Sequence, residues 1–165
     1  MTRREVPLAA DAILRCLADH GVDYLLIGGL AVQAHGHVRT TQDADVLPAP
    51  ERANLDRLAS TLAELNARPS GGGTFPRRAV LDGAAIEAAD VLALDTDAGA
   101  VDVHRAPPGA TSFAAMRKRA LELEVAGTRV AVVGLDDLIA MKRAAGRPLD
   151  RGDVIALTVP HAPIG

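Results

Sequence analysis

Residues 24–46 read YLLIGGLAVQAHGHVRTTQDADV. The stretch orders an apolar run, a glycine pair and an acidic pair, each with a structural meaning of its own. Tyr24 to Ile27 follow the helix-breaking HGVD of residues 20–23 and read as a short buried strand. Gly28-Gly29 comes next, a pair that lets the backbone approach a ligand closely. Leu30 to His35 reads as a small-residue helix that Gly36 ends. The N-terminus of such a helix offers free N–H groups to a phosphate, although a tight packing turn would use the same two glycines. Asp43 to Leu47 is the second strand, closed by Pro48-Ala49-Pro50. Within it Asp43 and Asp45 stand at i and i+2 and project from one face. Two carboxylates there make either a polar strand end or a clamp for a hard divalent cation.

The pair alone does not decide between these. The chain holds 15 Asp against 6 Glu, a frequency at which chance gives roughly one Asp-x-Asp. A second copy, Asp95 and Asp97, falls in a predicted hairpin turn (Val91–Leu94, DTDAG, Ala100–His104), where Asp and Gly are ordinary. Asp102 is different. It lies between Val101 and Val103 in a predicted strand, so valines facing the core leave its carboxylate on the opposite face. His104, two residues on, shares that face and is in a position to contact a substrate.

Elsewhere the pattern predicts helices over 7–20, 51–66, 111–118, 135–145 and 150–157, with Asp150 as the N-cap of the last. Leu55, Leu58, Leu62 and Leu65 mark the clearest helical face. Residues 121–125 and 129–133 read as another hairpin. SGGG at 70–73 is a loop too short to divide domains, and residues 74–88 match no single pattern. The expectation is one α/β (α+β) domain over residues 1–165, with a mixed, mostly antiparallel sheet, helices packed on it, and a frayed tail at 159–165.

Composition narrows the classes. The chain has 165 residues, 48% of them apolar but only 2% aromatic, so the core is built from Ala, Val, Leu and Ile. Cys16 is the single cysteine and reads as a core residue; it excludes an internal disulfide and fits a reducing compartment. The start, MTRREVPLAADAIL, lacks the apolar region of a secretory signal, and no run of about 18 apolar residues is present. A cytoplasmic protein with no membrane partner is expected. A net charge of −3 argues against a protein that coats nucleic acid. The basic residues are 16 Arg and only two Lys, Lys118 and Lys142. Arg77-Arg78, Arg117 to Arg119, and Arg143, Arg147 and Arg151 form local clusters that read first as solvated surface.

The strand, Gly28-Gly29, a 13-residue spacer, Asp43-Ala44-Asp45 and the later Val101-Asp102-Val103 together resemble the nucleotidyltransferase superfamily with the DNA polymerase β-like fold. The string of residues 24–46 is similar to the minimal bacterial members, the AbiEii-like and MenT-like toxins. LDDLIAMKRAAGRPLDRGDVIAL, residues 135–157, resembles their C-terminal helices. The resemblance implies that Asp43, Asp45 and Asp102 hold two metal ions, Mg²⁺ first and Mn²⁺ as the alternative, and that Asp102 helps deprotonate an acceptor hydroxyl. It implies that Gly28 and Gly29 cradle the triphosphate of an NTP. Arg39 lies within reach of a phosphate, and the hydroxyls of Thr40 and Thr41 are placed to touch one. Asp153 enters as a nucleotide-site candidate on the R-P-x-D motif; read alone, it and Asp150 are capping residues.

Lys142 is weighed separately. It shares a helix face with Leu138 and Ile139 and either snorkels outward or points into a cleft. In so Arg-rich a chain, a lysine there suggests a compact point charge for phosphate. The leading expectation, which the resemblance implies, is a toxin that adds nucleotides to the 3′ end of tRNA and is matched by an antitoxin protein. Transfer to a protein or a small molecule such as an aminoglycoside is the enzymatic alternative. A non-catalytic nucleotide-binding or interaction module is the alternative outside enzymes.

Overall fold

Strand β1 (Tyr24–Ile27) is buried along its whole length, as an unbroken apolar run requires when both faces of a sheet are covered. In the computed structural model, which describes residues 6–70 and 81–159, β1 lies inside a seven-stranded sheet ordered β3-β4-β5-β2-β1-β7-β6. The strands are β2 (Asp43–Pro48), β3 (Arg68–Pro69), β4 (Val91–Thr96), β5 (Gly99–His104), β6 (Leu121–Val125) and β7 (Thr128–Val132). The β1–β7 and β2–β5 pairs are parallel. The other four are antiparallel, giving the mixed, mostly antiparallel sheet expected. The described helices are α1 (Ala10–Asp19), α2 (Gly28–Ala34), α3 (Arg52–Glu64), α4 (Gly83–Ala88), α5 (Phe113–Arg119), α6 (Leu135–Ala145) and α7 (Pro148–Thr158).

Alternation in the two central strands separates core from site. Ala44, Val46, Val101 and Val103 are buried in one hydrophobic cluster with Leu55, Leu58 and Leu62 of α3 and Ile13, Leu14 and Leu17 of α1. Asp43, Asp45, Asp102 and His104 occupy the intervening positions and therefore the other face. α1 packs on β7 and α3, and α3 on β2. α2 leans on β1, β2 and α6, and α6 packs on α7.

Several boundaries differ from the sequence reading for local reasons. α1 starts at Ala10, not residue 7: Ala9 is its N-cap, with the non-helical φ −102° and ψ 76°, and its N–H bonds the carbonyl of Ala98 in the β4–β5 turn, 2.8 Å away. α2 starts at Gly28 itself. β4 runs on through Thr96, so Asp95 is a strand residue paired with Ala100, and of the second acidic pair only Asp97 lies in the turn. α7 begins two residues early, with Pro148 in its first turn, where its missing N–H costs nothing. Asp150 is consequently not the N-cap. It sits at the third helical position and accepts the N–H of the cap residue Arg147 at 3.2 Å. Within residues 74–88, whose sequence matches no single pattern, Asp82 caps α4 through the Ala85 N–H at 2.8 Å. Residues 71–80, with most of the SGGG loop and the Arg77-Arg78 pair, lie outside the described residues, as do 160–165 of the expected tail.

Cys16 is a core residue as expected. Burial, together with its hydrogen bond to Glu64 and the charge of that carboxylate, pushes its thiol up to about 12. Burial also raises the Tyr24 phenol. Both groups keep their protons longer folded than unfolded, so the native state binds more protons above pH 9 and stability falls as pH rises from 9 toward 12. Thermal melts across this range should show Tm declining, and Cys16→Ala should flatten the decline; an unchanged slope would contradict this assignment.

Candidate active site

The register of β2 assembles the acidic floor. Asp45 pairs with Ile27 of β1 on one side and with Asp102 of β5 on the other. Asp43 lies two residues before Asp45 on the same face and lines the same cleft. The cleft encloses about 680 Å³, within the usual range for small-molecule sites. Gly28, Gly29, Arg39, Thr41, Lys142 and Arg147 also line it.

The glycine pair is shaped to this floor. Gly28 has φ +67°, and a Cβ there would stand 2.1 Å from Oδ2 of Asp45. At Gly29 a Cβ would meet the Thr41 hydroxyl at 2.5 Å and the Arg39 guanidinium at 3.1 Å. The turn thus brings backbone against both the acidic floor and the segment that leads into it. Thr41 donates its hydroxyl to the carbonyl of Asp43 at 3.2 Å, which ties that segment to the start of β2.

The opposite wall is basic and is held by two buried carboxylates. Asp153, 1% exposed, takes Arg39 in a two-point contact, Nε to Oδ1 at 2.8 Å and Nη2 to Oδ2 at 3.0 Å. Lys142 Nζ lies 3.1 Å from Oδ2 of Asp153 and 3.0 Å from Oδ1 of Asp150. Arg147 Nε donates to Oδ2 of Asp150 at 2.7 Å. Burial alone would raise the Asp150 carboxyl, but hydrogen bonds from Arg147 and Lys142 outweigh it and hold the group below its ordinary range. The same bond raises the Arg147 guanidinium, with smaller contributions from the charges of Asp45 and Asp43 across the cleft.

Of the residues singled out in sequence, Gly28, Gly29, Arg39, Thr41, Asp43, Asp45, Asp102 and Lys142 line one cleft. Asp153 does not line it and sits beneath Arg39 and Lys142. His104 joins the acidic floor. Its Nε2 is 2.9 Å from Oδ1 of Asp45, and donor atoms of Asp45, Asp102 and His104 lie within 4.8 Å of one another. Asp43 stands outside that tight group. The visible signal was the i, i+2 spacing of Asp102 and His104; the hidden part was the parallel pairing of β5 with β2. Two carboxylates and an imidazole, with donor atoms within 4.8 Å of one another, are a fitting donor set for a small divalent cation.

Residues 8–161 match DUF6036, a family described as nucleotidyltransferases of unknown function. The chain belongs to this family. The fold of this nucleotidyltransferase is also that of solved relatives, although no curated protein matches its sequence. The antibiotic-resistance factor ANT(2″)-Ia, crystallised with adenylyl-2″-tobramycin, superposes with TM-score 0.59 at 18% identity, over 90% of this chain and 84% of that one. The lincosamide antibiotic adenylyltransferase LnuA, solved with lincomycin bound, gives 0.60 at 12% identity, over 92% and 96%.

Two outcomes follow from this geometry. Gly28→Ala forces Asp45 to move and strains a left-handed backbone, so nucleotide transfer should be lost while circular dichroism still reports a folded protein. Asp153→Ala strands Arg39 and Lys142 without their shared carboxylate. Loss of one partner from a buried pair costs on the order of 3–5 kcal/mol, and denaturant titration should reveal a drop of that size; a loss under about 1 kcal/mol would show that the network bears little on stability.

Proposed function

We propose that this nucleotidyltransferase moves a nucleoside monophosphate from an NTP to an acceptor hydroxyl, with pyrophosphate as the leaving group. The observation that carries the reading is the meeting, in one cleft, of Asp45 and Asp102 on the floor and Lys142 and Arg39 on the wall. Asp43, Asp45 and Asp102 would hold Mg²⁺ or Mn²⁺. Divalent ions there would supply charge stabilisation for the entering and leaving oxygens of an in-line displacement. The Gly28-Gly29 backbone, which borders the cleft beside Asp45, Thr41 and Arg39, would receive the triphosphate through its N–H groups. Arg39 and Lys142, steadied by Asp153, meet phosphate oxygens. Asp102 takes the proton of the acceptor hydroxyl as its oxygen bonds to the α-phosphorus and the bond to pyrophosphate breaks.

The acceptor we propose first is the 3′ hydroxyl of tRNA, in a toxin restrained by a partner antitoxin. It is supported by the similarity of residues 24–46 and 135–157 to minimal toxin members. Exposed Arg143 and Arg151 beside Arg147 at the α6–α7 corner add to it as a path for a phosphate backbone. Transfer to a small molecule is the second reading, favoured by the overlap with ANT(2″)-Ia and LnuA over most of their lengths.

Incubation with each α-labelled NTP, Mg²⁺ or Mn²⁺, and either total RNA or hydroxylated antibiotics tests both. Asp102→Asn should lower transfer by about 10²–10⁴-fold, the contribution of a positioned general base. Transfer to RNA should weaken steeply as salt rises through counterion release, whereas transfer to a small molecule should respond less. Equal labelling by wild type, Asp45→Asn and Asp102→Asn would overturn the assignment.

A further inference from the structure

We propose that His104 is itself a metal ligand, completing with Asp45 and Asp102 a mixed carboxylate–imidazole centre that prefers Mn²⁺ to Mg²⁺. The inference rests on the metal-dependent reading above and goes beyond it in naming the ligand and the ion. Asp102 and His104 stand at i and i+2 on β5, and Asp45 is the register partner of Asp102 on β2. Three side chains from two adjacent parallel strands therefore meet on one sheet face, their donor atoms within 4.8 Å of one another.

The decisive distance is the 2.9 Å between His104 Nε2 and Asp45 Oδ1. A hydrogen bond has this length. So does the edge of a small octahedral site, because ligands at about 2.1 Å from an ion place neighbouring donors about 3.0 Å apart. An ion can take the place of the bridging proton with little movement of either side chain. Nδ1 then carries the imidazole proton, and Nε2 offers its lone pair. Both side chains are largely shielded, at 21% and 15% exposure, yet both line the cleft, so an ion reaches them from solvent.

The chemistry of the donors selects the ion. Mg²⁺ takes oxygen ligands in a strict octahedron and gains little from imidazole. Imidazole suits first-row transition ions, and carboxylates suit Mg²⁺ and Mn²⁺ alike. Mn²⁺ accepts both donor types in octahedral geometry. Three carboxylates alone would leave the choice between the two ions to supply; one added imidazole biases it.

The test uses the whole protein stripped of metal and titrated with Mn²⁺, followed by electron paramagnetic resonance. Pulsed measurements on the bound ion should show nitrogen-14 coupling from a directly bound imidazole in wild type. His104→Ala should lose that coupling and bind Mn²⁺ at least tenfold more weakly, while affinity for Mg²⁺, read by competition, changes less than about threefold. His104→Gln keeps a hydrogen-bond donor toward Asp45 and should lose the coupling as well, which separates ligation from mere orientation of the carboxylate. Mn²⁺ bound in wild type without nitrogen coupling overturns the ligand role and leaves the metal site standing. Binding that is equal in wild type and Asp45→Asn overturns both.

Discussion

The register of β2 between its two neighbours is the constraint on which the rest depends. β2 runs antiparallel to β1 and parallel to β5, and Ile27, Asp45 and Asp102 lie in one row across three strands. Side chains alternate with period two, so a slip of one residue would turn Ala44 and Val46 outward and Asp43 and Asp45 into the core. Several kcal/mol oppose the burial of each unpaired carboxylate. Hydrophobic alternation thus positions the acids without any interaction among the acids themselves. The pairing also explains the glycine turn: with Ile27 opposite Asp45, the next residue comes so near the carboxylate that only Gly28 fits.

The second half of the cleft is built on different physics. Lys142, Asp150 and Asp153 are buried, and the network gains its stability from close geometry in a setting where each lone charge would be costly. Such a network is an expensive way to stabilise a helix pair, and well-packed apolar residues would serve α6 and α7 as well. Its specific product is orientation. The two-point contact with Asp153 fixes the plane of the Arg39 guanidinium, and the two carboxylates bracket Lys142 Nζ. A lysine with three N–H donors keeps capacity for a further acceptor after meeting both, which an arginine committed to the same pair would present in a more rigid fork.

What was legible in the sequence was whatever has a short period or a local punctuation mark. β1 matches its predicted bounds, because Gly28 and the HGVD turn bracket an apolar run. α6 matches residues 135–145, with Gly146 in a left-handed conformation as its stop. Leu55, Leu58 and Leu62 are fully buried, as their spacing required, while Leu65 falls just past the end of α3 as its C-cap. What escaped depends on distant partners. The role of Asp150 could not be separated from capping, because its bond to the Arg147 N–H is a genuine cap contact and only Lys142 reveals the rest. His104 acquires meaning only once β5 lies parallel to β2, a pairing between segments about fifty residues apart that no periodicity announces.

The floor and the wall belong to different layers, sheet and helix, so their spacing needs its own control. The chain leaves β5 after His104 and passes through Pro107 and Pro108, which border the cleft. It then presses Gly109 against α6. With φ +79°, Gly109 comes so close that a Cβ there would lie 2.6 Å from the carbonyl oxygen of Ala140, two residues before Lys142. The two prolines restrict the backbone leading to this contact, and the glycine permits the approach. The strand end that carries Asp102 and His104 is thereby braced against the helix that carries Lys142. In the function proposed above, a phosphate met by Lys142 and the carboxylate of Asp102 would have to agree closely in position for in-line chemistry, and this brace is a direct structural link between the elements that carry them.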